Sequence, residues 1–136
     1  MIKEYSVYLG TSKTKSTEYL RKRESCLQNI KQYDFQSAVF YILYCNKYDL
    51  FTGMKGYEYT KIEPEEVFDT YNTKEYEMTK KKAEHLLEYV DMLGQLGYKK
   101  DPVPHNKISK DLKKNYGDFH EDCISSIVTK GMMIYR

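Results

Sequence analysis

His120-Glu121-Asp122-Cys123 is the densest run of potential metal ligands in the chain. His120 and Cys123 stand at i and i+3, which places them on one face of a helix. A zinc site needs three or four converging donors, usually in paired spacings. The other candidates, His85, His105, Cys26 and Cys45, are scattered, and no Cys-x-x-Cys occurs. No metal and no cofactor is therefore expected, and the run reads as a capped helix start followed by a buried thiol. Nucleophilic catalysis lacks its signatures too. There is no Gly-x-Ser-x-Gly, and no cysteine has activating neighbours. The carboxylates Glu63, Glu65, Glu66 and Asp69 cluster around Pro64. Acids in the first turn of a helix complement its dipole, and that reading is preferred to a metal-dependent nuclease cluster. Neither of the glycine-rich loops that cradle nucleotide phosphates is present. The expectation is a protein that is not an enzyme.

Cations form two groups. The first is Lys13, Lys15, Arg21, Lys22 and Arg23; the second is Lys107, Lys110, Lys113 and Lys114, preceded by Lys99 and Lys100. Interleaved with tyrosines, such groups can grip phosphates, although most charge runs are solvated faces. The net charge is only +2, so any nucleic-acid role rests on these local patches rather than on a global field.

The elements that would position these residues follow from periodicity. Ile2–Leu9 alternates as a strand does, and Gly10–Lys15 is a polar turn. Ser16 or Thr17 caps a helix to about Tyr33, with Tyr19, Leu20, Cys26, Leu27 and Ile30 inward and Arg21, Lys22 and Arg23 outward. Asp34 caps the apolar run through Cys45. That run suits a buried helix or a strand, and helix is favoured. Thr52–Tyr59 is a loop with two glycines, and Pro64 opens a short helix, Glu65–Tyr71. Asn72 and Glu75 form a capping box for a long helix to about Leu96, which buries Tyr76, Ala83, Leu86, Leu87, Val90 and Leu93. Asp101–Pro104 is an extended connector. Asp118 and Glu121 form another capping box, and Met132–Tyr135 is read as a strand.

From Lys107 to Arg136 the apolar positions are Ile108, Leu112, Tyr116, Phe119, Cys123, Ile127 and Gly131, broken at Gly117-Asp118. Ile108 and Leu112 open one helix, and Lys130-Gly131 with Ile134 and Arg136 closes the next. The stretch, under a quarter of the 136 residues, resembles the helix-turn-helix and first wing strand of winged-helix domains. The resemblance implies that the start of the second helix would enter a DNA major groove. Here that start carries Asp118, His120, Glu121 and Asp122. Acids facing phosphates are repelled, so these four are assigned instead to a protein partner. Winged helices also serve as protein-binding modules, and fold does not fix function.

Length and composition set the frame. Residues 1–136 suit a single compact domain, mainly α with a small β element (α+β) and a winged-helix-like C-terminal part. Hydrophobic residues make up 40% and charged residues 31%, enough for a core and a wet surface. Three cysteines, odd in number and widely spaced, fit reduced thiols in a cytoplasmic protein. The first residues show no signal-peptide pattern, and the longest apolar run is far too short to span a bilayer, so no membrane role is expected. Fifteen tyrosines without a tryptophan reflect an AT-rich coding sequence and also suit contact surfaces. The functional expectation is a small non-enzymatic protein-binding module, an accessory or inhibitor protein of phage or mobile-element type. The alternative is a DNA-binding transcriptional regulator using the two lysine groups.

Overall fold

The computed structural model describes residues 13–53, 55–98 and 105–134. Their elements are α1 (Lys13–Ile30), α2 (Phe35–Tyr44), a π-helical turn (Cys45–Asp49), a 3-10 turn (Glu58–Thr60), α3 (Pro64–Val67), α4 (Thr73–Tyr98), α5 (His105–Asn115) and α6 (Glu121–Ile134).

The apolar run after Asp34 is the central helix. Asp34 is extended at φ −68° and ψ 172°, and its carbonyl accepts the Ala38 N–H at 2.8 Å, the first bond of α2. Six consecutive residues, Ser37 to Ile42, are buried. A helix apolar on every side belongs inside the protein, and α2 packs against α1, α3, α4 and α6. That enclosure settles a segment whose β-branched and aromatic residues also suit a strand.

The most extensive packing is between α4 and α6. The start of α4 is capped locally, with the Glu75 N–H donating to Asn72 Oδ1 at 2.9 Å. Tyr76, Ala83, Leu86, Leu87, Val90 and Leu93 are all buried, as the periodicity requires. Opposite them α6 buries Cys123, Ile124 and Ile127, and α5 contributes Leu112. The helices touch at Gly131, where a Cβ would lie 2.8 Å from Leu93 Cβ and 3.1 Å from the Val90 carbonyl oxygen. Gly131→Ala is therefore expected to destabilise the fold by about 1–3 kcal/mol, the usual cost of overpacking. Chemical denaturation measures it, and an unchanged or raised midpoint would contradict this close approach.

Several expectations need correction. The described residues contain no strand, so the α+β class with a small β element does not hold. Of Met132–Tyr135, read as a wing strand, Met132–Ile134 continue α6, as suits two methionines, which are good helix formers. The strand expected at Ile2–Leu9 and the connector Asp101–Pro104 lie outside the described residues. Helix α1 already runs at Lys13, where a turn was expected. Leu20, assigned to its inner stripe, is 47% exposed. Helix α3 stops at Val67 instead of reaching Tyr71, and α4 extends to Tyr98.

Candidate functional site

The entry to α6 is assembled from four parts of the chain. Tyr116, Gly117, Asp118 and Phe119 form the turn after α5, and buried Phe119 anchors it beneath Phe40, ring centroids 6.2 Å apart. The helix cap is His120. Its Nδ1 accepts the Asp122 N–H at 3.0 Å, and its carbonyl accepts the Cys123 N–H at 2.9 Å. Asp118, expected to be the cap, pairs instead with Lys82 of α4 at 3.2 Å. The His120 backbone N–H donates to the buried Ser37 hydroxyl of α2 at 2.8 Å, and the Tyr33 hydroxyl donates to Asp122 Oδ2 at 2.8 Å. The Tyr33 ring stacks on Tyr41 at 4.8 Å and meets His120 edge-on at 5.4 Å. Tyr41 Oη and Ser126 Oγ share a further hydrogen bond of 2.9 Å.

Asp118, His120, Glu121 and Asp122 are nevertheless all exposed. The result is an acidic, solvent-facing helix start in which Tyr33 holds Asp122, Lys82 pairs with Asp118 and Ser37 takes the His120 N–H. Burial, with the hydrogen bond to Asp122, pushes the Tyr33 phenol above its ordinary range. Tyr41 is raised further, chiefly by burial. Both therefore stay protonated at neutral pH. Among the residues of α6 whose burial is described, Glu121–Gly131, the exposed positions are Glu121, Asp122, Ser125 and Thr129, with no cation among them.

The two cationic groups fare differently. Lys107, Lys110, Lys113 and Lys114 are exposed on α5. In the first group Arg21 and Lys22 are exposed, and the backbone of Lys13 and Lys15 lies in the first turn of α1. Arg23 is drawn inward. Its Nε donates to the Thr60 carbonyl at 2.9 Å, its Nη2 to the Lys61 carbonyl at 3.0 Å, and it pairs with Glu66. Burial opposes ionisation of Glu66, but the Arg23 guanidinium and the Glu63 N–H outweigh it and hold the carboxyl below its ordinary value. Arg23 thus ties α1 to the segment before α3 and is not free for a phosphate. The carboxylates around Pro64 are likewise engaged locally: Glu63 and Glu66 form a capping box, and Glu65 accepts from the Tyr71 hydroxyl at 2.9 Å.

A cleft of about 510 Å³ opens beside this segment. Its lining includes Lys47, Lys61 and Lys80 with Glu63, Glu65 and Glu77, and neither His nor Cys.

The thiols are where sequence reasoning missed most. The sulfurs of Cys26 of α1 and Cys45, the first residue of the π-helical turn, lie within 4.8 Å of each other and of a carboxylate oxygen of Asp49. This pairing lowers the Cys26 thiol against the opposing effect of burial, while pairing and burial raise Cys45 well above the ordinary range. Cys123 is apart from them, buried next to Ser37, and burial pushes its thiol up to about 12. No short-range spacing in the sequence signals the Cys26–Cys45 contact, because it depends on how α1 crosses α2. In contrast, the grouping of His120 with Cys123 as shared ligands is not realised, since His120 is committed to the helix cap. No described helix is long and apolar enough to cross a membrane.

Comparison with protein-family models, with curated proteins and with solved structures finds no match to the chain, so its function is argued from its own residues.

Proposed function

We propose that this chain is a small non-enzymatic protein-binding module, an accessory or inhibitor protein whose contact face is the entry to α6. One observation carries the reading: Asp118, Glu121 and Asp122 are exposed, yet Asp118 and Asp122 are held by Lys82 and Tyr33. Charges already fixed in place lose less conformational entropy on binding than free side chains do. An acidic face held this way steers a basic partner surface and disfavours other approaches. The same acids oppose a DNA phosphate backbone.

The second reading, a DNA-binding regulator, is favoured by the four exposed lysines of α5 just before this helix. Two triple variants separate the readings. Reversal of Asp118, Glu121 and Asp122 to lysine is expected to abolish capture of a protein partner from a host extract. Reversal of Lys110, Lys113 and Lys114 to glutamate is expected to leave capture largely intact. Circular dichroism on each variant excludes unfolding as the cause. Sub-micromolar, sequence-selective DNA binding at about 150 mM salt, where charges are screened over roughly 8 Å, would overturn the protein-binding reading, the more so if the lysine variant alone lost it.

A further inference from the structure

Beside the junction of α1 with the π-helical turn, two thiols and a carboxylate converge. The Cys26 and Cys45 sulfurs and a carboxylate oxygen of Asp49 all lie within 4.8 Å of one another. Cys45 and Asp49 stand four residues apart on one face of their turn, and the turn itself is set by the Leu50 N–H donating to the Cys45 carbonyl at 2.7 Å, an i to i+5 bond. Such π-helical turns recur at functional sites. Around the three donors, Ser25, Gln28, Asn29 and Gln32 form an uncharged polar rim to an open depression. We propose that Cys26, Cys45 and Asp49 bind a soft divalent cation of the zinc class, leaving one tetrahedral position facing the depression.

The donor set selects the ion. Thiolates favour Zn²⁺ over Mg²⁺ or Ca²⁺, which take oxygen ligands in larger shells. Zinc–sulfur bonds of about 2.3 Å and zinc–oxygen bonds of about 2.0–2.2 Å place tetrahedral donors about 3.5–3.8 Å apart. The observed triangle, with all three atoms within 4.8 Å of one another, has to contract to that size on binding. The charges also suit the ion. An ionised thiol here faces both the other sulfur and the Asp49 carboxylate, a repulsion that a divalent cation reverses. Coordination oxidises nothing. Each protonated thiol that becomes a ligand releases one proton to solvent, two in all when both begin protonated. Three protein ligands and an outward position define an open site rather than a closed structural one, so water or a donor group of a partner completes the shell. This site is separate from the acidic entry to α6, and its test does not depend on the partner.

Reduced, metal-free, full-length protein is titrated with Co²⁺ as the spectroscopic probe, then with Zn²⁺ as competitor. The expected result is one Co²⁺ per chain, with a thiolate-to-metal charge-transfer band and tetrahedral ligand-field bands, both removed by Zn²⁺. Cys26→Ser and Cys45→Ser should each abolish the charge-transfer band. Asp49→Asn should weaken binding by about tenfold or more, the scale on which even outer ligands act. Cys123→Ser, which removes the distant thiol, should change nothing. Circular dichroism accompanies each variant, and the half-buried Cys26 carries the test if Cys45→Ser does not fold. Absence of the band in the wild-type protein, or its persistence in Cys26→Ser, overturns the proposal.

Discussion

Phe40→Ala is expected to remove about 3–5 kcal/mol of folding stability. Phe40 is fully buried in α2, at the point where three other aromatic residues meet it. Its ring lies edge-on to Tyr41 at 4.9 Å, 5.7 Å from Tyr44 and 6.2 Å from Phe119. Truncation loses the transfer energy of the ring and leaves a cavity walled by side chains that are themselves fixed: Tyr41 by its bond to Ser126, and Phe119 by the turn before His120. Walls that cannot collapse make the cost of a cavity larger. Natural domains have only about 5–15 kcal/mol in total, so the variant should unfold at a much lower urea concentration. Because Phe119 sits just before the cap of α6, the acidic entry should loosen as well, with faster amide exchange at Cys123. A loss below about 1 kcal/mol would show that the aromatic cluster repacks freely and is not the centre of the core.

Asn46→Leu is expected to cost about 2–5 kcal/mol, although it adds apolar volume to a buried position. The Asn46 side chain behaves as a short piece of backbone. Its Nδ2 donates to the Ile62 carbonyl at 3.0 Å, and its Oδ1 accepts the Ile62 N–H at 2.8 Å. Ile62 is fully buried, so leucine leaves both backbone groups without a partner and without water. Each orphaned buried group costs about 1–3 kcal/mol. Asn46→Asp gives a second, pH-dependent reading. Burial raises the pKa of a carboxyl by desolvation. The penalty is absent below the unfolded value of about 3.9 and grows as pH rises through the folded value. The gap to wild type should therefore narrow as pH falls, where the neutral acid can also donate to the Ile62 carbonyl. Hydrogen exchange at the Ile62 amide reads the Asn46→Leu variant directly, and unchanged protection there would contradict the pairing.

Local features were legible in the sequence where the deciding interactions are themselves local. The Asn72 cap of α4, the proline at the start of α3 and the inner faces of α4 and α6 each rest on residues three or four apart. The first failures came where a distant group competes. Asp118 looked like a helix cap, but Lys82 takes its carboxylate and His120 takes the cap. The strand reading of Met132–Tyr135 fails for a local reason: methionine is a good helix former, and the backbone of Met132–Ile134 continues α6.

The small β element that the sequence suggested is not found among the described residues, but the sequence by itself determined the long helix with its continuous apolar stripe, an apolar segment that had to be interior, and an acidic start to the last helix. These are consequences of residue type and of the 3.6-residue period, which act over one or two turns. Only the tertiary structure decided that Arg23 is spent on Thr60, Lys61 and Glu66, that Asp122 answers to Tyr33, and that Cys26 and Cys45 meet beside Asp49. Each of those pairings joins segments well separated along the chain. Which side chains meet depends on where the helices cross, and that is set by the packing of the whole core rather than by any spacing along the chain.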